Sequence, residues 1–237
     1  SVTQSSTTYT RSVNSFDALA RELSVTRGND LGGSRTDVTV YQDDTAKWVL
    51  GLVKSSTNSD TGLVESSTDY NSTSRLPEKT YAYGLLQRTL SYNTDGTLAT
   101  VTDPLNRSIK LSQWKRGAPQ RVDYADATFE TAVVNNQGWI TSRTDERSSA
   151  TGYSYDLLGR LASIAYPTGD SVAWASPAYT YVQLTSPELG IPATSWRSRK
   201  LLGNFQRSVY HDAQLRPILI EEKEQHHRAK LLCSQCL

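Results

Sequence analysis

Short runs of alternating apolar and polar residues recur along the chain, and polar segments that favour turns separate them. Residues 97–101 and 171–174 are two such runs, each of four or five residues. Alternation with a period of two is typical of β-strands that bury one face and leave the other in water. The pattern therefore predicts an all-β chain of antiparallel β-hairpins in tandem.

A repeat of 21 residues organises the middle of the chain, because Gly96, Gly117, Gly138 and Gly159 each lie 21 residues from the next. Equivalent positions around these glycines are occupied by aromatic or apolar residues: Tyr92 and Tyr155 four residues before, Leu98, Ile140 and Leu161 two after, and Val101 and Ile164 five after. A fixed period of this length indicates a repeat architecture. We expect one hairpin per repeat, with the five aliphatic residues on one face of the sheet.

Each repeat carries two turn signals. One surrounds the glycine, as in residues 93–96, and the other follows half a repeat later, as in residues 103–107. Glycine adopts positive φ without steric cost, and a preceding Asn or Asp suits the same turn. The pattern predicts turns with positive φ at Gly96, Gly138 and Gly159.

The flanks resemble degenerate copies of this unit. Residues 16–23 align with residues 155–161, with Ala20 in the glycine position, and residues 211–217 form another copy with Leu215 there. We prefer a hairpin at residues 16–23, although Phe16, Leu19, Ala20 and Leu23 also have helical spacing. Loss of glycine predicts a different turn or backbone strain at both sites.

This alignment divides the chain into three parts. We expect degenerate repeats over residues 1–80, regular repeats over 81–175, and degenerate repeats with an irregular carboxy-terminal tail over 176–237. Within that tail, residues 221–228 are helix formers and could make a short, frayed helix. The lack of an initiator Met and the abrupt change after this run favour a piece of a longer protein.

Composition excludes several classes of protein. The net charge is +1 and the basic residues are dispersed, whereas a nucleic-acid binder needs a basic patch. No apolar run approaches the length of a membrane span. The apolar fraction is low, at 37%, which suits a sheet with one wet face.

Metal-ligand residues gather only near the carboxy terminus, where His226 and His227 precede Cys233 and Cys236. Two cysteines and two imidazoles could hold a tetrahedral zinc ion, but the spacing fits no zinc-finger pattern. An irregular terminus without metal is the preferred interpretation, and we expect no cofactor.

Catalytic patterns are missing. The sequence has no Gly-x-Ser-x-Gly elbow, no phosphate-binding glycine loop and no His-Glu-x-x-His. All three histidines lie beyond residue 210, and Asp43 and Asp44 are expected to be solvated turn residues. We therefore expect no enzyme.

Residues 155–161, Tyr-Asp-Leu-Leu-Gly-Arg-Leu, followed by Tyr166-Pro167-x-Gly169, resemble the YD repeat of bacterial RHS proteins. Residues 92–104 are a second good copy, and the resemblance is clear from about residue 81 to residue 174. Departures are Gln113 and Val134 at the tyrosine position and Arg143 at an apolar one.

The resemblance implies a long β-ribbon that forms a hollow shell, in many relatives around a carboxy-terminal toxin, in a secreted or surface-displayed bacterial protein. The self-cleavage signature of many relatives is not matched, because Asp103-Pro104 shares only its Asp-Pro step. The implied partners are the other repeats of a longer chain and an enclosed toxin or cargo. Cut sheet edges would favour self-association.

The alternative function is carbohydrate binding by a surface adhesion module. Aromatic rings could form a platform for sugar stacking on an open sheet face. The candidates are Trp114, Trp139, Trp174, Tyr153 and Tyr155. Aromatic residues in sheets more often form core or cross-strand pairs, so the structural role is preferred.

Overall fold

The computed structural model describes residues 1–4, 6–169, 171–224 and 227–233, the last of these through its backbone alone. Every regular element in these residues is a β-strand, which confirms the all-β prediction. The described residues hold no helix that could cross a membrane. The chain forms two compact units, Ser1–Ser112 with Asp123–Ala127 and Gln113–Val122 with Thr128–Leu237.

The first unit is an antiparallel meander in which each strand pairs with its neighbour in sequence. Its strands are β1 (Val2–Gln4), β2 (Thr7–Phe16), β3 (Glu22–Asn29), β4 (Ser34–Asp44), β5 (Val49–Asn58), β6 (Leu63–Tyr70), β7 (Pro77–Ala82), β8 (Leu85–Tyr92), β9 (Leu98–Thr102) and β10 (Ser108–Ser112). Thr, Ser, Val and Leu are the commonest residues of these strands, and the β-branched Thr and Val suit a pleated, half-buried surface.

The second unit repeats this topology, and β11 (Arg121–Asp123) lies where the chain passes between the units. Its strands are β12 (Phe129–Val134), β13 (Ile140–Thr144), β14 (Ala150–Tyr155), β15 (Leu161–Ala165), β16 (Ala178–Gln183), β17 (Trp196–Leu202), β18 (Phe205–His211), β19 (Pro217–Glu224) and β20 (His227–Cys233). Pairing from β12 to β20 is antiparallel and sequential. The division of the chain into regular and degenerate repeats stays a prediction.

The hairpin expected at residues 16–23 is confirmed. Strand β2 ends at Phe16, β3 begins at Glu22, and the two pair with each other. The helical alternative fails because the Asp17 side chain binds the N–H groups of Leu19 and Arg21, which closes a turn.

The helix considered for residues 221–228 is wrong. Residues up to Glu224 belong to β19, which pairs with β18, and β20 returns from His227 to Cys233. The apolar residues of β19 and the nearly complete burial of Glu221, which is 3% exposed, outweigh the helix propensity of the charged run. Strand pairing replaces the irregular tail up to Cys233.

The four glycines of the 21-residue period lie in two kinds of turn. The N–H groups of Gly96, Gly138 and Gly159 each donate to the carbonyl of the residue three positions earlier. Gly117 instead lies in a two-residue turn in which Lys115 and Ala118 bond to each other through both backbone groups. Arg116 and Gly117 have φ of 52° and 82°, the conformation of a type I′ turn. The same turn recurs at Leu189 and Gly190, also in the second unit, with φ of 49° and 78°.

A β-bulge follows the turn in five hairpins at the same place. In one of them Tyr155 lies opposite Leu161, while Ser154 lies opposite Ser163, so Ala162 is the extra residue. The equivalent extra residues of the other four hairpins are Leu23, Ala99, Thr141 and Ile218. An extra residue shifts the pleat by one position. Side chains three apart across it therefore share one face of the sheet.

Burial is shallow except in the second unit. Most strand residues are half-buried. Among the described residues, the large side chains that are almost fully buried include Val134 and Tyr210, which are 1% and 2% exposed. The Tyr210 hydroxyl lies 3.1 Å from Glu188 Oε2, and Glu188 also pairs with Arg197. The segment that carries Glu188 thus contacts the polar end of the buried ring, which satisfies the hydroxyl.

Gly159 offers a test of the turn. A Cβ at this position would lie 2.6 Å from Trp139 Cζ2, whereas one at Gly96 would meet nothing within 4 Å, and both have positive φ. We expect Gly159→Ala to lower the free energy of unfolding by about 2–3 kcal/mol and Gly96→Ala by about 1 kcal/mol, because only the first adds a clash to the backbone strain. Urea unfolding of both variants measures the difference. Equal losses would contradict the packing of Trp139 on this turn.

Candidate functional site

One five-residue turn, the Asx turn, recurs through both units. Its first residue is aspartate or asparagine, whose backbone N–H donates to the carbonyl of the fifth residue and whose carbonyl accepts from the fourth N–H. In the part of the chain that the structure describes, eight turns share both bonds: 17–21, 29–33, 93–97, 103–107, 135–139, 145–149, 156–160 and 212–216. This turn is therefore the structural site that recurs along the chain.

The side chain of the first residue closes the turn. Asp156 Oδ1 accepts the N–H of Leu158 at 2.9 Å and the N–H of Arg160 at 3.0 Å. The same oxygen of Asn135 accepts the N–H of Gln137 and of Trp139 at 3.0 and 2.9 Å. One oxygen therefore satisfies two turn N–H groups that point away from the ladder, and either residue type can supply it. The 93–97 turn differs, because Asp95 Oδ1 accepts the N–H of Thr97.

The fourth residue of every Asx turn has positive φ. Glycine occupies this position in half of them, and the other four hold Ala20, Asn106, Ser148 and Leu215, with φ of 58°, 60°, 64° and 60°. Side chains with a Cβ are strained in this region. The strain that we expected at Ala20 and Leu215 is therefore present within the same turn rather than a different one.

Four of the turns end in arginine and carry an internal ion pair. The Nε of Arg21, Arg107, Arg160 and Arg216 lies 2.6 or 2.7 Å from the Oδ2 of the aspartate four residues earlier. The 21-residue glycine period did not predict these pairs. The spacing Asp-x-x-x-Arg, which occurs in the sequence at all four places, is the signal that could have found them.

The arginine contacts lower the pKa of the aspartate in these four turns. The backbone N–H of Arg107, followed by its guanidinium, holds the pKa of Asp103 below its ordinary value, and the N–H of Arg216 is the main cause for Asp212. Partial removal from water acts in the opposite direction at Asp156, but the hydrogen bonds and charge of Arg160 outweigh it and lower the pKa. The four turns that pair aspartate with arginine therefore favour the ionised carboxylate.

Asp43 is exposed, as expected, and Asp44 is half-buried, but both carboxylates are held in ion pairs. Asp43 pairs with Arg21, which together with the N–H of Gly51 lowers the pKa of Asp43 to about 2. Asp44 pairs with Arg75 at 2.7 Å. Both carboxylates tie a strand end to a turn rather than facing each other as an acid and a base.

Tyrosine at the position before the turn links neighbouring strands. The hydroxyl of Tyr155 donates to the carbonyl of Ile140 at 2.7 Å, and Tyr70 makes the same kind of bond to Val53 at 2.9 Å. The ring of Tyr155 also lies 5.2 Å from that of Trp139, centroid to centroid. Tyr155 thus serves packing and strand pairing at once.

The aliphatic positions of each strand share a face because of the bulge. Tyr92 and Leu90, two apart, lie opposite Leu98 and Val101. Tyr155 and Tyr153 in the same way lie opposite Leu161 and Ile164. Residues directly opposite in a ladder point to the same side of the sheet. In β13 the position three residues after Ile140 holds Arg143 instead of an aliphatic residue. Arg143 forms an ion pair with Glu130.

Two of the rings proposed as a sugar platform, Trp139 and Trp174, lie in different surroundings. Trp139 has Tyr155 beside it and Gly159 against its ring, so protein occupies part of the surface a sugar would need. Trp174 is 64% exposed and lines a different cavity with Tyr166 and Leu202.

Catalytic and metal candidates find no support in the described residues, where no group of three metal-ligating side chains occurs. His226 and Cys236 lie outside the described residues, and the side chains of His227 and Cys233 do so too. Asp103, which precedes Pro104, holds an Asx turn through its bonds to Leu105 and Arg107. That role is structural.

The sequence profile of the RHS repeat matches residues 135–171, which contain three of the Asx turns. This part of the chain is an RHS repeat. The matched residues include Tyr155, which precedes a turn, and Gly138 and Gly159, which lie within turns. No curated protein sequence gives a significant match.

Solved structures share the fold. A crystal structure of TcdB2-TccC3-Cdc42 superposes with a TM-score of 0.51 at 12% sequence identity, over 93% of this chain and 12% of the other. A crystal structure of TcdB2-TccC3 gives 0.50 at 12% identity, with the same coverage of both chains. The chain thus spans about an eighth of the length of these structures.

The turn side chain can be tested at Asp103. Asp103→Ala removes the acceptor of two N–H groups, so we expect Tm to fall by about 2–4 °C. Asp103→Asn keeps an oxygen in place, as Asn135 does naturally, and should cost less than half as much. Thermal unfolding followed by circular dichroism compares the two. The same loss in both would assign the effect to the ion pair with Arg107 alone.

Acid should destabilise the protein through these carboxylates. Because their folded pKa values lie below the ordinary 3.8, their contribution is complete above about pH 4 and is lost as the pH falls toward 2. We expect Tm to drop steeply over this window, and to drop less in Asp43→Asn. A Tm that is constant between about pH 5 and pH 2 would refute a stabilising role for the ionised pairs.

Proposed function

We propose that this RHS-repeat chain is a non-catalytic structural segment that builds part of a β-shell around a toxin or another cargo. The observation that carries the proposal is the recurrence of one turn, with the same hydrogen bonds, in eight places of both units. Residues that recur in successive hairpins serve the pairing and packing that every hairpin needs. A catalytic site instead needs a unique convergence of groups.

The shell requires more chain than the 237 residues here. A hairpin is marginal alone, and repeat units bury their apolar face against neighbours. The shallow burial of most strands fits a wall whose stability depends on extended pairing. Further repeats of a longer parent chain are therefore the first partners that we propose, and the cargo is the second.

The parent protein would be secreted or displayed by a bacterium. The similarity in fold to TcdB2-TccC3, over a small fraction of that chain, supports a place in a toxin-related assembly.

End strands supply the surface for continuation. In the described residues β1 contacts β2 alone and β20 contacts β19 alone. Each leaves one row of backbone groups for pairing with another chain. The same edges would join this segment to its neighbours in the parent protein.

We expect the isolated chain to self-associate through these edges. Sedimentation velocity should show oligomers that increase with concentration, and Val2→Lys, which places a charge on β1, should shift them toward the monomer. Val172→Lys is the matched control, because Val172 is 59% exposed against 69% for Val2 and lies outside any strand. A wild-type chain that stays monomeric at high concentration would count against open edges.

The shell itself is tested on the parent protein. Negative-stain electron microscopy should show hollow particles whose interior density disappears when the cargo segment is deleted. A solid or extended particle would overturn the shell proposal.

A further inference from the structure

Two Asx turns present their arginine in the same way, one in each unit. The Arg21 guanidinium carbon lies 4.2 Å from the centroid of the Tyr41 ring, and that of Arg160 lies 4.5 Å from the centroid of Tyr181. Each tyrosine lies in the second strand after the turn, β4 in the first unit and β16 in the second. Stacking and the turn aspartate fix the guanidinium plane in both.

In the first unit the chain itself supplies a carboxylate to this guanidinium. Asp43, two residues after Tyr41, accepts from Nη1 of Arg21 at 2.9 Å and from Nη2 at 2.6 Å. This two-oxygen geometry is the strong form of the arginine–carboxylate pair. The Arg21 side chain is 22% exposed.

In the second unit the corresponding carboxylate is missing from the sequence. Gln183 lies two residues after Tyr181, and its amide nitrogen donates to the carbonyl of Thr194 at 3.0 Å. Among the described residues, Arg160 makes its ion pair with Asp156, through Nε, and 35% of its side chain is exposed. The outer edge of the guanidinium is therefore available to a second anion.

A groove of about 550 Å³ adjoins this arginine. Tyr181 lies opposite Ser198, and Trp196, two residues before Ser198, lies opposite His211, so the three ring side chains share one face of the sheet. Leu158 and Leu215, from two Asx turns, line the groove as well. This volume is within the range of small-ligand pockets, and the combination of rings with a few polar groups is typical of them.

We propose that this groove binds a carboxylate of another polypeptide segment, an Asp or Glu side chain with an apolar neighbour. The carboxylate would bind the Arg160 guanidinium in the same way that Asp43 binds the Arg21 guanidinium. The proposal goes beyond the shell role and does not depend on it.

The exposed leucines of two Asx turns, Leu158 and Leu215, are the reason to expect an apolar residue beside the carboxylate. Leu158 is 74% exposed and Leu215 is 63% exposed, although both line the groove. A peptide residue next to the carboxylate could cover them, which removes apolar surface from water. A free sugar acid would offer the charge without this apolar group.

The test uses the full chain and isothermal titration calorimetry. The probe is an acetylated, amidated peptide Gly-Leu-Glu-Leu-Gly, with Gly-Leu-Gln-Leu-Gly as its uncharged match and methyl glucuronide as the sugar acid. We expect one site for the Glu peptide and at least about tenfold weaker binding of both comparison ligands, because only the Glu peptide supplies the carboxylate and the apolar groups together.

Two reciprocal variants locate the site. Gln183→Asp gives the second unit the carboxylate of the first, so it should abolish peptide binding while Tm stays equal or rises. Asp43→Gln should open the equivalent place at Arg21 and give a second binding site. Arg160→Lys, which keeps the charge but loses the two-nitrogen geometry, should weaken binding about tenfold.

Equal binding of the Glu and Gln peptides, or binding unchanged in Gln183→Asp, would overturn the proposal. Stronger binding of methyl glucuronide than of the peptide would overturn its assignment to a polypeptide. Absence of any peptide binding by the folded wild-type chain would overturn it entirely.

Discussion

A single side-chain oxygen that satisfies two turn N–H groups is the interaction on which the rest of this chain depends. It commits the first residue of the turn to aspartate or asparagine, and the closed turn places the fourth residue at positive φ. In five hairpins a bulge follows directly, which puts side chains three apart on one face. Local chemistry at the turn thereby sets the register of the strands beyond it.

The consequence is a protein held together mainly by pairing and by contacts between adjacent hairpins. Tyr155 reaches the carbonyl of Ile140, and Arg160 stacks on Tyr181, so the 156–160 turn contacts both the strand before it and a strand after it. Such contacts connect sequence neighbours only, which is the behaviour of a repeat protein. Among the described residues, deep burial is limited to a few side chains, such as Val134 and Tyr210.

The sequence predicted the strands and turns well where glycine and asparagine or aspartate mark them, because those residues act locally. It misplaced Gly117, since the 21-residue period continued through a turn of another kind. It also allowed a helix near Glu221, where pairing with β18 and burial decide the structure. The arginine ion pairs were visible as Asp-x-x-x-Arg, but the stacking of Arg160 on Tyr181 joins residues whose relation depends on the loop between β15 and β16.

Amide hydrogen exchange, measured residue by residue on the folded chain, tests the central role of the turn most directly. The N–H groups of the fifth turn residues Arg107, Ser149, Arg160 and Arg216 donate to the turn side chain. They should be as protected as the amides of the adjoining strands, while the N–H of Leu157, the second residue of its turn, exchanges freely. Exchange of the fifth-residue amides at the rate of an unstructured peptide would contradict the central role of the turn side chain.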